Sequence, residues 1–421
     1  MSSVSATLPP AQAPVDPLQR IEALDMVRGF ALFGVLLVNM FNFGSGGLYW
    51  NESLDEFAWS VKRFFFETKS WRLFSLLFGL SFALQLIRAT ERGAEFISVY
   101  LRRLIILFMI GAAHAMIYDG DILMQYAELG LLLVLFRNLS PKSLLVLSVF
   151  LLALFPIGRA ATSFLEPTQI APTAEYAVRL EAAKVEMEEY RTTHYYVVGS
   201  MSEVMAENAY LENPFHRPLG PESSPAIFAM FLLGLYVGRR QMVHDISRHL
   251  PLIRNVFRWG FSVGLVCMGV ERILHATTGY EVFGEQRASI LPQFIGDIIF
   301  TYGSTLLALG YAAGIILLAQ HDRWNRLLDP LGAAGRMALT VYLSGSIMFG
   351  ALFYGFAFGK AFYLGPAAVT GYAVLFFAIQ ILFAVYWTSR FRFGPVEWLW
   401  RALTYLSFPP MRLQERAKAE S

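Results

Sequence analysis

Residues 102–137 read RRLIILFMIGAAHAMIYDGDILMQYAELGLLLVLFR. Two apolar runs meet at Asp119-Gly120-Asp121, and Asp-Gly is strong turn chemistry. Arginines close the far end of each run: Arg102 and Arg103 on one side, Arg137 on the other. A turn this short permits only an antiparallel helical hairpin. Each run approaches the ~20 apolar residues a helix needs to cross a bilayer. The stretch therefore predicts a membrane hairpin with its basic ends on one face and its acidic turn on the other.

The rest of the chain agrees. Of 421 residues, 56% are hydrophobic and 16% charged, against about 25% charged in a soluble protein. The mean hydropathy is +0.47. The net charge of +2 and the lack of a basic cluster interleaved with aromatics argue against a nucleic-acid partner. The lone Cys267 supports neither an internal disulfide nor a C-x-x-C metal site, and no metal is expected. Phosphate-binding loops, H-E-x-x-H and G-x-S-x-G motifs are also missing from the sequence.

Ten apolar ranges predict an all-α polytopic bundle: 24–43, 71–88, 101–118, 122–137, 142–160, 223–242, 256–275, 292–319, 335–358 and 366–388. Lys and Arg concentrate at Arg88–Arg103, Arg137–Lys142, Arg239–Arg258, Arg323–Arg336 and after Thr388, whereas the turn at 119–121 has none. The positive-inside rule then places both termini in the cytoplasm. The expected organisation is a disordered cytoplasmic tail (1–22), an N-terminal five-helix bundle (23–160), an extracytoplasmic loop (161–222), a C-terminal five-helix bundle with an interfacial helix (223–410) and a cytoplasmic tail (411–421). Within the loop, Tyr176, Leu180, Ala183, Met187 and Tyr190 form an amphipathic stripe. No repeat of 20–50 residues and no inverted halves are evident, which disfavours the common secondary-transporter folds.

Ionisable groups inside spans are costly and are functional candidates by default. In ALDMVRG, Asp25 and Arg28 share a helix face at the cytoplasmic mouth. They read either as an end-of-helix ion pair or as an anchor for an anionic donor. Asn39 lies about 16 Å deeper on that helix. Lys69 and Arg72 stand at the opposite mouth, where Arg72 is a candidate for holding an anionic group. Glu271, Arg272, His275 and Asp297 are further candidates for an outward cavity. In the opening hairpin, His114 is about one turn inside its helix, and Asp121, Gln125 and Glu128 follow at i, i+4 and i+7. His114 can therefore meet Asp121 or Gln125. A carboxylate that orients an imidazole is the arrangement used in general-base catalysis, although the same pair can simply close a hairpin.

The C-terminal FRFGPVEWLWRALTY predicts a helix restarting at Pro395 and lying at the interface. Its Glu397 and Arg401 are spaced to pair. The segment is either an anchor or part of a donor site with Arg336, Arg390 and Arg392.

Several motifs together resemble the YeiB family (DUF 418) of bacterial membrane proteins: ALDMVRGFALFGVLLVN, LFSLLFG, GAAHAMIYDGDILMQYAELG, FLLGLYVGR, PLGAAGRMALTVYLSGS and GPVEWLWRALTY. The resemblance runs from residue 20 to about 405 and implies a multi-pass protein of the bacterial cell (inner) membrane. The N-terminal half is in turn similar to transmembrane acyltransferases typified by heparan-alpha-glucosaminide N-acetyltransferase. Those enzymes pass an acetyl group from cytoplasmic acetyl-CoA to a sugar amine across the membrane. The shared piece is Asp25, Arg28, Gly29 and Asn39. In those enzymes the catalytic histidine lies between the first two shared spans, whereas no histidine precedes His114 here.

The expectation is thus an acyl transfer from an acyl-CoA co-substrate, with no permanently bound cofactor. His114 and Asp121 would be catalytic. Asp25, Arg28, Asn39, Arg72, Arg102, Arg103, Gln125, Glu128 and Arg336 would bind donor or acceptor. The alternatives are a small-solute permease lined by the same residues, or a non-catalytic component that binds a partner through 161–222. Lipid and a small-molecule substrate are the expected partners, and a homo-oligomer is compatible with the sequence.

Overall fold

A computed structural model describes residues 21–44, 53–165, 195–211, 224–278, 290–361 and 363–413. The helices are α1 (Glu22–Gly44), α2 (Ser53–Val61), α3 (Lys69–Glu91), α4 (Ile97–Ala115), α5 (Leu123–Phe136), α6 (Pro141–Leu165), α7 (Tyr195–Val198), α8 (Met201–Leu211) and α9 (Ser224–Arg239), followed by α10 (Ile246–Asn255), α11 (Phe261–Thr278), α12 (Ile290–Leu318), α13 (Asp322–Arg336), α14 (Ala338–Phe353), α15 (Pro366–Thr388) and α16 (Pro395–Tyr405). π-helical turns at Lys62–Phe66 and Val256–Gly260 lead towards α3 and α11. No strand occurs among the described residues; the single β-bridge joins Phe391 to Arg412. The stripe from Tyr176 to Tyr190 and most of both tails lie outside the described residues.

Large apolar side chains face outward: Val146 on α6, Val266 on α11 and Leu382 on α15 are 69%, 65% and 71% exposed. A water-soluble bundle turns such groups inward, so these faces are made for lipid. Each of the ten apolar ranges overlaps a helix. Among the described residues, six helical segments, or seven if a bent pair counts as one span, are long and apolar enough to cross a membrane, while α5 and α9 are shorter apolar helices. The ninth range needs correction. The chain breaks at Met337, where α13 and α14 meet at 79°. Helix α13 carries Asp322, Arg323, Arg326, Asp329 and Arg336 and is too polar for a span interior. The apolar helix starts at Ala338.

The two sequence halves interleave: α3 packs most extensively on α9, and α1 on α13. Backbone contact at these crossings requires glycine. A Cβ on Gly79 would overlap the Phe231 carbonyl, and one on Gly234 the Leu76 carbonyl. At the second crossing, a Cβ on Gly29 would overlap the Leu331 carbonyl, and one on Gly335 the Asp25 carbonyl. Small residues let membrane helices approach closely enough for dispersion to hold them together. The α1–α13 crossing also places Arg28 and Arg336 on the lining of one cavity.

Candidate functional site

A cavity of about 280 Å³ opens between α1, α3, α4, α5, α14 and α16. Five guanidinium side chains line it: Arg28, Arg88, Arg103, Arg336 and Arg401. Asp25 and Glu397 are the acidic residues among its lining. Deeper, its wall is aromatic and aliphatic, with Trp71, Phe74, Phe78 and Tyr126, and it reaches Ile122 and Tyr342. The result is a cationic mouth leading into an apolar shaft.

The mouth is held by long-range contacts. Arg28 bonds Asp25 on its own helix and donates to the Gly335 carbonyl at 3.4 Å. The Arg103 guanidinium stacks 3.8 Å from the Trp400 ring, while Trp400 Nε1 donates to the Arg103 carbonyl at 3.0 Å. Arg336 Nη2 donates to Thr388 Oγ1 at 3.4 Å. Glu397 reaches across from α16 to the new N-terminus created by the α13–α14 break. Its Oε1 accepts from the amides of Leu339 and Thr340 at 2.6 and 3.1 Å, and its Oε2 accepts from Thr340 Oγ1 at 2.6 Å. A carboxylate there satisfies orphan amide donors and complements the helix dipole. Burial pushes the Glu397 carboxyl above its usual range, against hydrogen bonds from Thr340 and Leu339 that lower it.

At the inner end, His114 Nδ1 lies 2.6 Å from Asp121 Oδ2, and both side chains are buried. Asp121 Oδ1 accepts the Met124 amide at 2.9 Å, so the carboxylate caps α5 while it orients the ring. An ionised Asp121 can only accept, which assigns a proton to Nδ1; in the neutral ring the lone pair is then on Nε2. Nε2 is buried without a hydrogen-bond partner among the described residues. The ring itself does not line the cavity. It stands against Tyr342, centroid to centroid 5.1 Å, and Tyr342 forms the cavity wall.

Other expected residues fall elsewhere. Arg72 is no open rim: it is buried and donates to the Thr301 carbonyl at 2.5 Å, to Ser304 and to Thr305 Oγ1 at 2.7 Å. The polar Thr301, Ser304 and Thr305 on α12 supply acceptors that water would otherwise provide. Arg102 points away from the cavity and donates to the Thr404 carbonyl at 2.9 Å. Gln125 turns to α9 and donates to Ser224 Oγ at 2.9 Å, and Glu128 is likewise outside the cavity lining. The predicted stripe fails because α5 begins at Leu123, so Asp121 precedes the helix and does not share its register. Asn39 lines a separate small hole. Glu271 pairs with Arg63 at 3.0 Å and Asp297 with Arg159 at 3.5 Å, and neither lines the cavity of His114's neighbours. Arg390 stacks 3.9 Å from the Tyr386 ring, away from the mouth.

Sequence reasoning missed Arg88 and Tyr342. Arg88 ends a span and reads as an ordinary anchor, and Tyr342 is one aromatic among many. Arg401 was visible as a motif member, without the fold-back of α16 that turns it to the mouth.

Residues 237–407 match the family model described as "Protein of unknown function (DUF418)". The chain is 32% identical to the uncharacterized protein YxaH of Bacillus subtilis (strain 168), over 93% of this chain and 96% of that one. It is 28% identical to the uncharacterized protein YeiB of Escherichia coli (strain K12), covering 93% and 98% of the two chains. Identity at this level over nearly the whole of both chains places the protein in the YeiB (DUF418) family of helical membrane proteins.

Proposed function

We propose that the protein is a membrane-embedded acyltransferase. An acyl-CoA donor enters the cavity from the basic face, which the positive-inside rule assigns to the cytoplasm. Arg28, Arg103 and Arg336, joined by Arg88 and Arg401, hold the phosphates; guanidinium forks match phosphate oxygens better than ammonium groups do. The aromatic shaft takes the less polar arm and its thioester. His114, oriented by Asp121, acts as general base at Nε2. In the transfer, the acceptor oxygen or nitrogen attacks the thioester carbonyl and its proton passes to His114. The C–S bond then breaks, and the leaving thiolate is protonated to give free CoA.

One observation carries this reading: a single cavity runs from five guanidinium groups to Tyr342, whose ring stands against the His114–Asp121 pair. The test is acetyl-CoA turnover by protein in lipid nanodiscs, measured as CoA release across a panel of alcohols and amines. Release that disappears in His114→Ala and falls in Asp121→Asn supports it. Absence of turnover with every acceptor, together with absence of CoA binding, rejects it.

A permease is the second reading. Its support is that polar lining resumes beyond Tyr342, in the small hole that contains Asn39. Solute flux into liposomes that is indifferent to CoA would favour it.

A further inference from the structure

The small hole of about 10 Å³ shares Leu32, Val35 and Tyr342 with the large cavity. It lies farther along α1 and α14, among Asn39, Ser346, Phe349 and Gln380. A space of this size accommodates about one water-sized group. Two of its polar atoms are conspicuous. Gln380 is buried in the middle of the otherwise apolar α15. Its Nε2 donates to the Val341 carbonyl at 2.8 Å and to Ser344 Oγ at 2.9 Å. A carbonyl cannot donate, so this bond fixes the amide orientation and identifies Oε1 as the remaining acceptor. Gln380 Oε1 and Ser346 Oγ are both buried with no hydrogen-bond partner among the described residues. Within a membrane bundle, such groups are expensive unless something meets them.

We propose that Ser346 and Gln380 form a subsite for one neutral hydroxyl group, and that the acceptor of the transfer is therefore an alcohol. This rests on the acyltransferase reading above. A hydroxyl can donate to Gln380 Oε1 while accepting from Ser346 Oγ–H, which satisfies both orphan groups at once. An ammonium is disfavoured because the hole's lining contains no carboxylate. The hole adjoins the large cavity, with which it shares Leu32, Val35 and Tyr342, and the Tyr342 ring also stands 5.1 Å from that of His114. For attack the hydroxyl releases its single proton from Gln380 Oε1; the oxygen then bonds the acyl carbon, the C–S bond breaks, and the proton passes through the base to the departing thiolate to give free CoA, so no further reactant is required.

The experiment compares wild type with Ser346→Ala, Gln380→Met and the double variant in nanodiscs. Acetyl-CoA is the donor, and 1-butanol and butylamine are matched probe acceptors. The expected result is butanol preferred over butylamine by wild type, with the double variant raising the KM for butanol at least tenfold and leaving that for acetyl-CoA within twofold. A butanol KM unchanged within twofold, or equal losses towards both acceptors, overturns the subsite. A water-resolving cryo-EM map of the same proteins gives an independent readout. It should show an oxygen bridging Ser346 and Gln380 in wild type and none in the double variant; an empty wild-type hole overturns the inference. If wild type never turns over acetyl-CoA, the acyltransferase reading falls, and the map alone decides whether the pair holds a hydroxyl.

Discussion

At one end of α3, Lys69 and Arg72 are enclosed by protein acceptors; at the other, Arg88 lines a cavity with four further arginines. Nearby, Lys62 pairs with Glu67 and Arg63 with Glu271. All four cations of the first group are buried, and each has an internal bond. The five arginines of the second line open volume, although Arg28 and Arg336 also make internal bonds. Both groups look alike in sequence, as basic residues at the ends of apolar runs. Whether a cation serves the fold or a ligand is decided by what its donors meet.

The largest expected effect is at the enclosed end. Arg63→Ala should destabilise the folded protein by about 3–5 kcal/mol, because it strands a buried Glu271. Thermal unfolding in nanodiscs measures this, and Arg63→Leu combined with Glu271→Leu should recover most of the loss. If the single variant unfolds like wild type, the two ends do not differ as claimed.

His114 belongs to neither group: its ring is bonded to Asp121 at one nitrogen, and the other is buried without a hydrogen-bond partner among the described residues. His114→Ala should lower acetyl transfer by about 10²-fold or more, with donor binding retained. Equal loss of donor binding would make it a structural residue only. At the open end, Arg336→Gln and Arg401→Gln should each weaken CoA binding by about tenfold, or 1.4 kcal/mol. Their unfolding should shift by less than about 1 kcal/mol. A stability loss as large as that of Arg63→Ala would erase the distinction.

The smallest effect concerns Glu397, the carboxylate that joins α16 to the break before α14. Its folded carboxyl is raised by burial. Within the window between the unfolded value near 4.3 and that raised value, the folded protein binds more protons than the unfolded one. This group's contribution is therefore fully present below the window and is lost as pH rises through it. Glu397→Gln should flatten that slope in pH-dependent unfolding.

Local chemistry made part of this legible. Asp-Gly turn propensity and the distance from His114 to Asp121 were enough to foresee their contact, and three-residue spacing foretold Asp25 with Arg28. Helix type followed from apolar run length. What stayed hidden depends on contacts between distant segments. The Met337 break has no proline at it, and Glu397, which caps it, lies on another helix. Arg72 meets Thr301, Ser304 and Thr305, and nothing in the neighbourhood of Arg72 indicates those partners. Asp121 left the expected stripe because it sits before α5 begins, and Gln125 meets Ser224 on a distant segment.

The central claim is that the arginine-lined cavity admits a CoA-type anion from the basic face. Equilibrium binding of CoA to the protein in neutral-lipid nanodiscs tests it most directly, using wild type, Arg336→Gln and His114→Ala. The account predicts saturable binding by wild type and His114→Ala, and about tenfold weaker binding by Arg336→Gln. No saturable binding by wild type, or binding indifferent to Arg336, would contradict it.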